Sequence, residues 1–302
     1  MVDEALYTCR FLQFTAAMLI FGTAAFGVYA LPGSATRAGS NLFVEFDACF
    51  GRVLFIASLV ALISAVALLF CQTAAMAGSL AAAADLSAVS AVLFDTYFGH
   101  VWCGHLLLAA ALVLAACRLQ PRQPVVLILS LGLLASLAWV GHAVMDHGAA
   151  RIIHELNQTG HLLAAGLWLG GLTPLAWVLR QARRSPGSFE IALARHALRN
   201  FSYMGYVGVA LLALTGAVNA IFLLGSIGAM FGTSYGRLLA FKILLFLAMV
   251  VVALINRFHL APQISGGSGA LGALGRTVAL EQSLGLAVLA IVSILGTWPP
   301  ST

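Results

Sequence analysis

Eight runs of mostly apolar residues, each near the roughly 20 residues that carry a helix across ~30 Å of hydrocarbon, limit what this chain can become. They lie at 8–31, 51–77, 98–117, 124–145, 153–179, 203–226, 237–256 and 277–297. Breakers fall between them: Pro32-Gly33, Pro121 and Pro124, Ser185-Pro186-Gly187, and the Gly/Ser-rich 265–275. A further apolar piece, 86–94, is too short to span and is expected at the interface. No loop has room for a soluble domain. The predicted fold is all-α, a bundle of eight transmembrane helices forming one domain over 1–302.

Charge agrees. Only 8% of residues are charged and the mean hydropathy is +1.01, whereas a soluble domain carries about 25% charged residues to solvate its surface. An ordinary cytosolic enzyme, a secreted disulfide scaffold and a nucleic-acid binder are therefore excluded. The five cysteines are odd in number and sit mostly in apolar runs, so no disulfide framework is implied. The first run follows Met-Val-Asp-Glu-Ala with no basic n-region, so it is expected to be a retained helix and not a signal peptide.

The basic residues are sorted. Loops after the first, third, fifth and seventh spans, with their helix ends, hold eleven arginines, from Arg37 and Arg52 to Arg257 and Arg276. The other side holds Arg10, Arg151 and Arg237. Because cytoplasmic loops are enriched in Lys and Arg, the first side is expected to be cytoplasmic and both termini periplasmic. Lys242, about a turn and a half into the seventh span, can snorkel outward.

The histidines sort the opposite way. His196 and His259 stand among arginines and read as basic loop residues, but His100, His105, His142, His147, His154 and His161 gather at the outer ends of spans three to five. At about 100° per residue, His154, Gln158 and His161 form one stripe running into the membrane. His142, Met145 and Asp146 share a face of the fourth span; His100 and Cys103 share one on the third, with His105 pointing away. Ionisable groups at membrane depth face the bundle interior or a cavity, and His142 and His161 are the deepest of the set, expected to face each other.

Imidazole with thioether or thiolate suits copper best, with zinc, nickel or iron as alternatives. The candidate metal set is His142, His161, His100, His105, His147, His154, Cys103 and Met145, with Cys9, Met18, Cys71 and Met76 as nearby soft residues, although a membrane methionine is ordinarily packing. Asp146 and Glu155 are candidate acceptors for the histidines. No His-Glu-x-x-His or phosphate-binding loop is present, and enzymatic activity is not expected.

Several segments together resemble the copper resistance protein D family of bacterial inner-membrane proteins. They include Gly141-His142-Ala143, the run His161 to Gly171 containing Trp168-Leu-Gly170-Gly171, Thr215-Gly216-Ala-Val-Asn219, and Thr233-Ser-Tyr235-Gly236-Arg237 through Lys242. Asn256-Arg257, Trp298-Pro299-Pro300 and the stretch Phe94 to Trp102 complete the pattern. The resemblance implies eight helices and movement of periplasmic copper, Cu(I) or Cu(II), into the cytoplasm, often beside a small periplasmic copper-binding protein. It matches His142 and His161 to the family's histidines. Trp168-Leu-Gly-Gly and Thr215-Gly216 read as close helix packing; Asn219 and Glu281 are expected to satisfy each other or backbone groups.

Copper transport through an outer-leaflet histidine site is the leading expectation. Its weak point is the inner half of the bundle, where only Met204, Met249 and Cys117 are soft. A receptor for periplasmic copper, a haem-b electron carrier with paired histidines, and a structural subunit are the alternatives.

Overall fold

The computed structural model describes residues 2–31, 41–140, 148–224, 228–266 and 268–299, and among them every regular element is helical. The helices are α1 (Val2–Tyr29), α2 (Asn41–Ala77), α3 (Leu86–Asp95), α4 (Tyr97–Arg118) and α5 (Pro124–Ser136). They continue as α6 (Gly148–Ala165), α7 (Gly171–Arg184), α8 (Ser188–Leu224), α9 (Ser234–Ile255) and α10 (Ser268–Leu295). Seven helices among the described residues are long and apolar enough to cross a membrane. The fourth apolar run is shorter, α5 ending in a 3₁₀ turn over Leu137–Val140. The chain is an all-α polytopic membrane protein.

Helix starts follow local chemistry. Thr96 and Thr233 turn their side chains onto the backbone N–H groups of Gly99 and Gly236, and Asp85 does the same for Ser87, so α4, α9 and α3 each begin on a capped first turn. Pro124 opens α5, where its missing N–H costs nothing.

Three helices begin well before their apolar runs, α10 among them, which starts at Ser268 within the Gly/Ser-rich 265–275 expected to be a breaker. α2 starts at Asn41 and not at 51 because its polar first turns are paired: Arg122 forms a bidentate ion pair with Asp47, and Gln181 donates to Glu45 at 2.9 Å. α8 starts at Ser188 and not at 203. There Leu193, Ala194, Ala197, Leu198 and Phe201 are buried while Arg195 and Arg199 share the turns, so an amphipathic stretch extends an apolar one.

The centre of the bundle is α1, of whose most apolar stretch 72% is buried, against 11% for α8 and for the helix that starts at Ser234. One core joins α1, α2, α4 and α5, with the Trp102 indole donating to the Ala65 carbonyl at 2.9 Å. A second joins the far end of α1 to α2, α7, α8 and α10 around Phe26, Phe50 and Phe201. In lipid this packing rests on close van der Waals approach. α1 achieves it at Gly22 and Gly170, where a Cβ on either would overlap the other helix's backbone, that on Gly170 meeting the Met18 carbonyl.

α6 and α7 form one long rod interrupted by a π turn over Gly166–Gly170. Pro174 lies four residues beyond Gly170 and has no N–H to return to its carbonyl, which favours a widened turn there. A second π turn, Asn256–Leu260, follows α9. α8 packs on α6 and α7, and α9 on α10, but α8 and α9 make little contact with each other. A cleft therefore runs between them, floored by the rod and by α10.

Candidate metal site in the α8–α9 cleft

The stripe on α6 faces α8. His154 stacks on Phe222 with ring centroids 4.6 Å apart. Gln158 accepts from the Asn219 amide at 2.7 Å, and Asn157 donates to Asn219 Oδ1 at 2.8 Å and to the Thr215 carbonyl at 3.0 Å. One step deeper, His161 Nδ1 lies 2.9 Å from Thr215 Oγ1. The Thr215 hydroxyl gives its own proton to the Leu211 carbonyl, so its oxygen accepts from His161 Nδ1–H. That assignment fixes the tautomer and leaves Nε2 with its lone pair. Among the described residues no hydrogen bond engages Nε2.

His161 lines a cavity of about 510 Å³ in the cleft, together with Met18, Met230, Met249 and Lys242. A smaller cavity of about 110 Å³ adjoins it toward His154, bordered by Arg10, Gln158, Asn219 and Lys242. An imidazole whose one N–H is held by a hydrogen-bond acceptor, its other nitrogen free, is the ordinary arrangement of a metal-binding histidine. The methionines are strung along that space: Met230 precedes α9 and Met249 lies well into it, about 22 Å beyond the helix start at 1.5 Å per residue, so they mark successive levels of the cleft and not one donor set with His161.

His105 offers an instructive contrast. Its Nδ1 lies 2.7 Å from Ser136 Oγ, whose proton goes to the Leu133 carbonyl, so the tautomer is that of His161. But its Nε2 lies 2.7 Å from Gln13 Nε2, which donates to it while Gln13 Oε1 accepts from Ser64. Fully buried and stacked on Trp102 at 4.5 Å, His105 ties α1, α2, α4 and α5 together and has no nitrogen left for a ligand.

The remaining candidates are not assembled with His161. His100 is exposed, its Nε2 donating to the Phe94 carbonyl at 2.7 Å, and Cys103 turns its thiol toward the Leu93 carbonyl. Glu155 receives Arg151 at 2.8 Å and the Tyr97 hydroxyl at 3.4 Å. His142, Met145, Asp146 and His147 lie outside the described residues. Among the described residues no three His, Cys, Asp or Glu side chains converge on one point. Cys9 and Cys71 do meet, within hydrogen-bonding reach across α1 and α2.

Asn219 and Glu281 do not satisfy each other, correcting the expectation for that pair. Asn219 belongs to the α6–α8 network, while Glu281 accepts from the Trp168 indole at 3.3 Å and from the Asn256 amide. Sequence reasoning also passed over Thr215 as the partner of His161. That pairing comes from α6 meeting α8, which no spacing along the chain records.

The chain matches two family models, "Copper resistance protein D-like, N-terminal domain" over residues 1–152 and "Copper resistance protein D" over 195–295. It is 32% identical to the inner membrane protein YebZ of Escherichia coli, over 96% of this chain and 97% of that one. It is also 32% identical to copper resistance protein D of Pseudomonas syringae pv. tomato, over 99% and 98% of the two chains. A third relative, the copper transport protein CutJ of Bacillus subtilis, is 29% identical over 68% of this chain and 38% of its own. No solved structure gives a significant match. With matches along nearly its whole length and its multi-pass helical build, the chain belongs to the copper resistance protein D family of inner-membrane proteins.

Proposed function

We propose that the protein takes copper at the periplasmic face and carries it toward the cytoplasm, binding the ion in the α8–α9 cleft through His161. The observation that carries this is the state of His161: Nδ1 held by Thr215 and Nε2 open, in a cavity along which methionines stand at successive levels. Neutral imidazole and thioether favour soft Cu(I). The Lys242 side chain on the same wall disfavours a doubly charged ion more than a singly charged one. We assign the cargo as Cu(I). His142 is kept as the second histidine on its match to the family's Gly-His-Ala segment. The relatives' names, copper resistance protein D and copper transport protein, support the class of cargo.

The sorted arginines support the orientation, with the Arg195, Arg199 and Arg257 end cytoplasmic. A small periplasmic copper-binding protein is the proposed donor, and the chain acts as a carrier and not as an enzyme.

The test is metal analysis of detergent-purified protein reconstituted with Cu(I). His161→Ala is expected to weaken binding by more than about 100-fold, as loss of a direct ligand should exceed the 10–100-fold cost of losing a ligand's hydrogen-bond partner. The double variant His142→Ala, His161→Ala should hold no copper. Wild-type copper content in His161→Ala would refute the site. A Soret band in the purified wild type would replace copper by haem as the bound group.

A further inference from the structure

The cleft does not end at His161. Its 510 Å³ cavity abuts a second one of about 270 Å³, the two sharing Trp168 and Ala213 as walls. The second cavity abuts a third at the foot of the cleft, shared through Leu198 and Arg257 and bordered by Arg195 and Arg199. Three spaces thus follow one another from His161 to the arginine-rich end, separated by one indole and a few side chains.

Glu281 is the one carboxylate lining them, among the described residues, and it is 2% exposed. It sits just past the Trp168 divider. An acidic side chain at membrane depth is costly and ordinarily marks an ion or proton path. Its two hydrogen-bond donors are themselves unusual in placement. Trp168 lies on the π turn Gly166–Gly170 and Asn256 opens the π turn Asn256–Leu260, and π turns concentrate at functional sites. Thr277 donates to Asn256 Oδ1, which points the amide nitrogen at the carboxylate. A group needed only to bridge α7, α9 and α10 would not require a cavity of 270 Å³ beside it.

We infer that the α8–α9 cleft is the route across the inner half of the membrane, with Glu281 as its second cation station and Trp168 as the divider between stations. The inference rests on the copper assignment above. A cation released by His161 Nε2 passes the Trp168 edge and is received by the Glu281 carboxylate, the last anionic group before the arginines. The arginines repel a resting cation, so the station lies above them.

Uptake of Cu(I) into proteoliposomes holding an entrapped chelator tests this, read beside equilibrium Cu(I) binding to the same full-length protein. Glu281→Gln keeps the shape and an acceptor oxygen for Trp168 or Asn256 but removes the charge. Its flux should fall by about tenfold or more, the charge being the costly and functional element, with affinity at His161 within about twofold of wild type. Ala213→Phe, which fills the shared wall between the two cavities, should lower flux by a similar factor and decides the matter if Glu281→Gln does not fold. Wild-type flux in folded Glu281→Gln, or in Ala213→Phe, overturns the route. Failure of the outer site is distinguishable: His161→Ala would then keep its binding while Glu281→Gln still lost flux. Absence of any copper flux in the wild type would overturn both.

Discussion

Replacing Thr215 by valine should weaken copper binding without touching a ligand. Valine matches threonine in shape but cannot accept the proton of His161 Nδ1–H, which Thr215 Oγ1 takes at 2.9 Å. Without that acceptor, two costs arise. The Nδ1–H becomes an unsatisfied donor within the bundle, and the ring is no longer held in the tautomer that presents Nε2 to the cavity. Loss of such an outer-shell partner typically lowers metal affinity by about 10–100-fold, or roughly 1.4–2.8 kcal/mol. The threonine's other bond, to the Leu211 carbonyl within its own helix, adds little, because that carbonyl also belongs to the α8 backbone ladder. Competition between the protein and a Cu(I) chelator, in detergent or nanodiscs, measures the change. Thr215→Ser restores the hydroxyl and should bind within about threefold of wild type, since the acceptor is kept. If Thr215→Val bound copper with wild-type affinity, the hydrogen bond would not be orienting a ligand, and His161 would be a packing residue like His105.

Two further outcomes separate support from site. His105→Ala should destabilise the bundle by about 1–3 kcal/mol, because Gln13 and Ser136 lose their common partner in the core; thermal unfolding should record this while copper affinity stays unchanged, and a loss of affinity would show that His105 belongs to the site. Gly170→Ala should cost about 1–3 kcal/mol, since its Cβ would overlap the Met18 carbonyl and force α1 off the π turn; an unfolding midpoint equal to wild type would mean that α1 does not need that close approach.

The helices were legible in the sequence because lipid leaves a long apolar run few alternatives, and the stripe His154, Gln158, His161 because helical period alone puts them on one face. The start of α10 was misplaced because Gly and Ser in 265–275 were read as a breaker, and those of α2 and α8 for another reason. Around Asp47 and Arg195 the helix continues through charged residues that are paired or lie on an amphipathic face, where an apolar window stops counting. The histidine cluster was legible only as a level in the membrane. Depth does not tell which way a ring nitrogen points, and His105 and His161 differ there. Both give Nδ1–H to a hydroxyl, yet the fourth corner of one is Gln13 and of the other a cavity. Pro174 was the overlooked signal: four residues after Gly170, it predicts a broken backbone ladder at the turn carrying Trp168.

That turn ties packing to chemistry. Gly166 and Gly170 bring the backbone of the rod against α1, so one side of the π turn cannot move without separating the two central helices. The residue between them, Trp168, points to the opposite side, onto Glu281 and edge-on to Phe246 at 6.1 Å. A widened turn is the economical way to meet both demands, because it frees one residue per turn from the spacing that an α-helix imposes. On the far side, Asn256 occupies the first position of the other π turn and reaches the same carboxylate. Glu281 is thus held by the two places in the rod and the α9 segment where the backbone is not regular, and regular helix lies on each side of both. If α9 or α10 shifts against the rod, the bonds to Glu281 are the first to change, while the α1 contact through Gly170 stays fixed. The rod that floors the cleft is therefore pinned to α1 on one side and carries the Trp168 divider on the other, the combination the proposed route needs for an ion to pass one station at a time without opening the bundle from end to end.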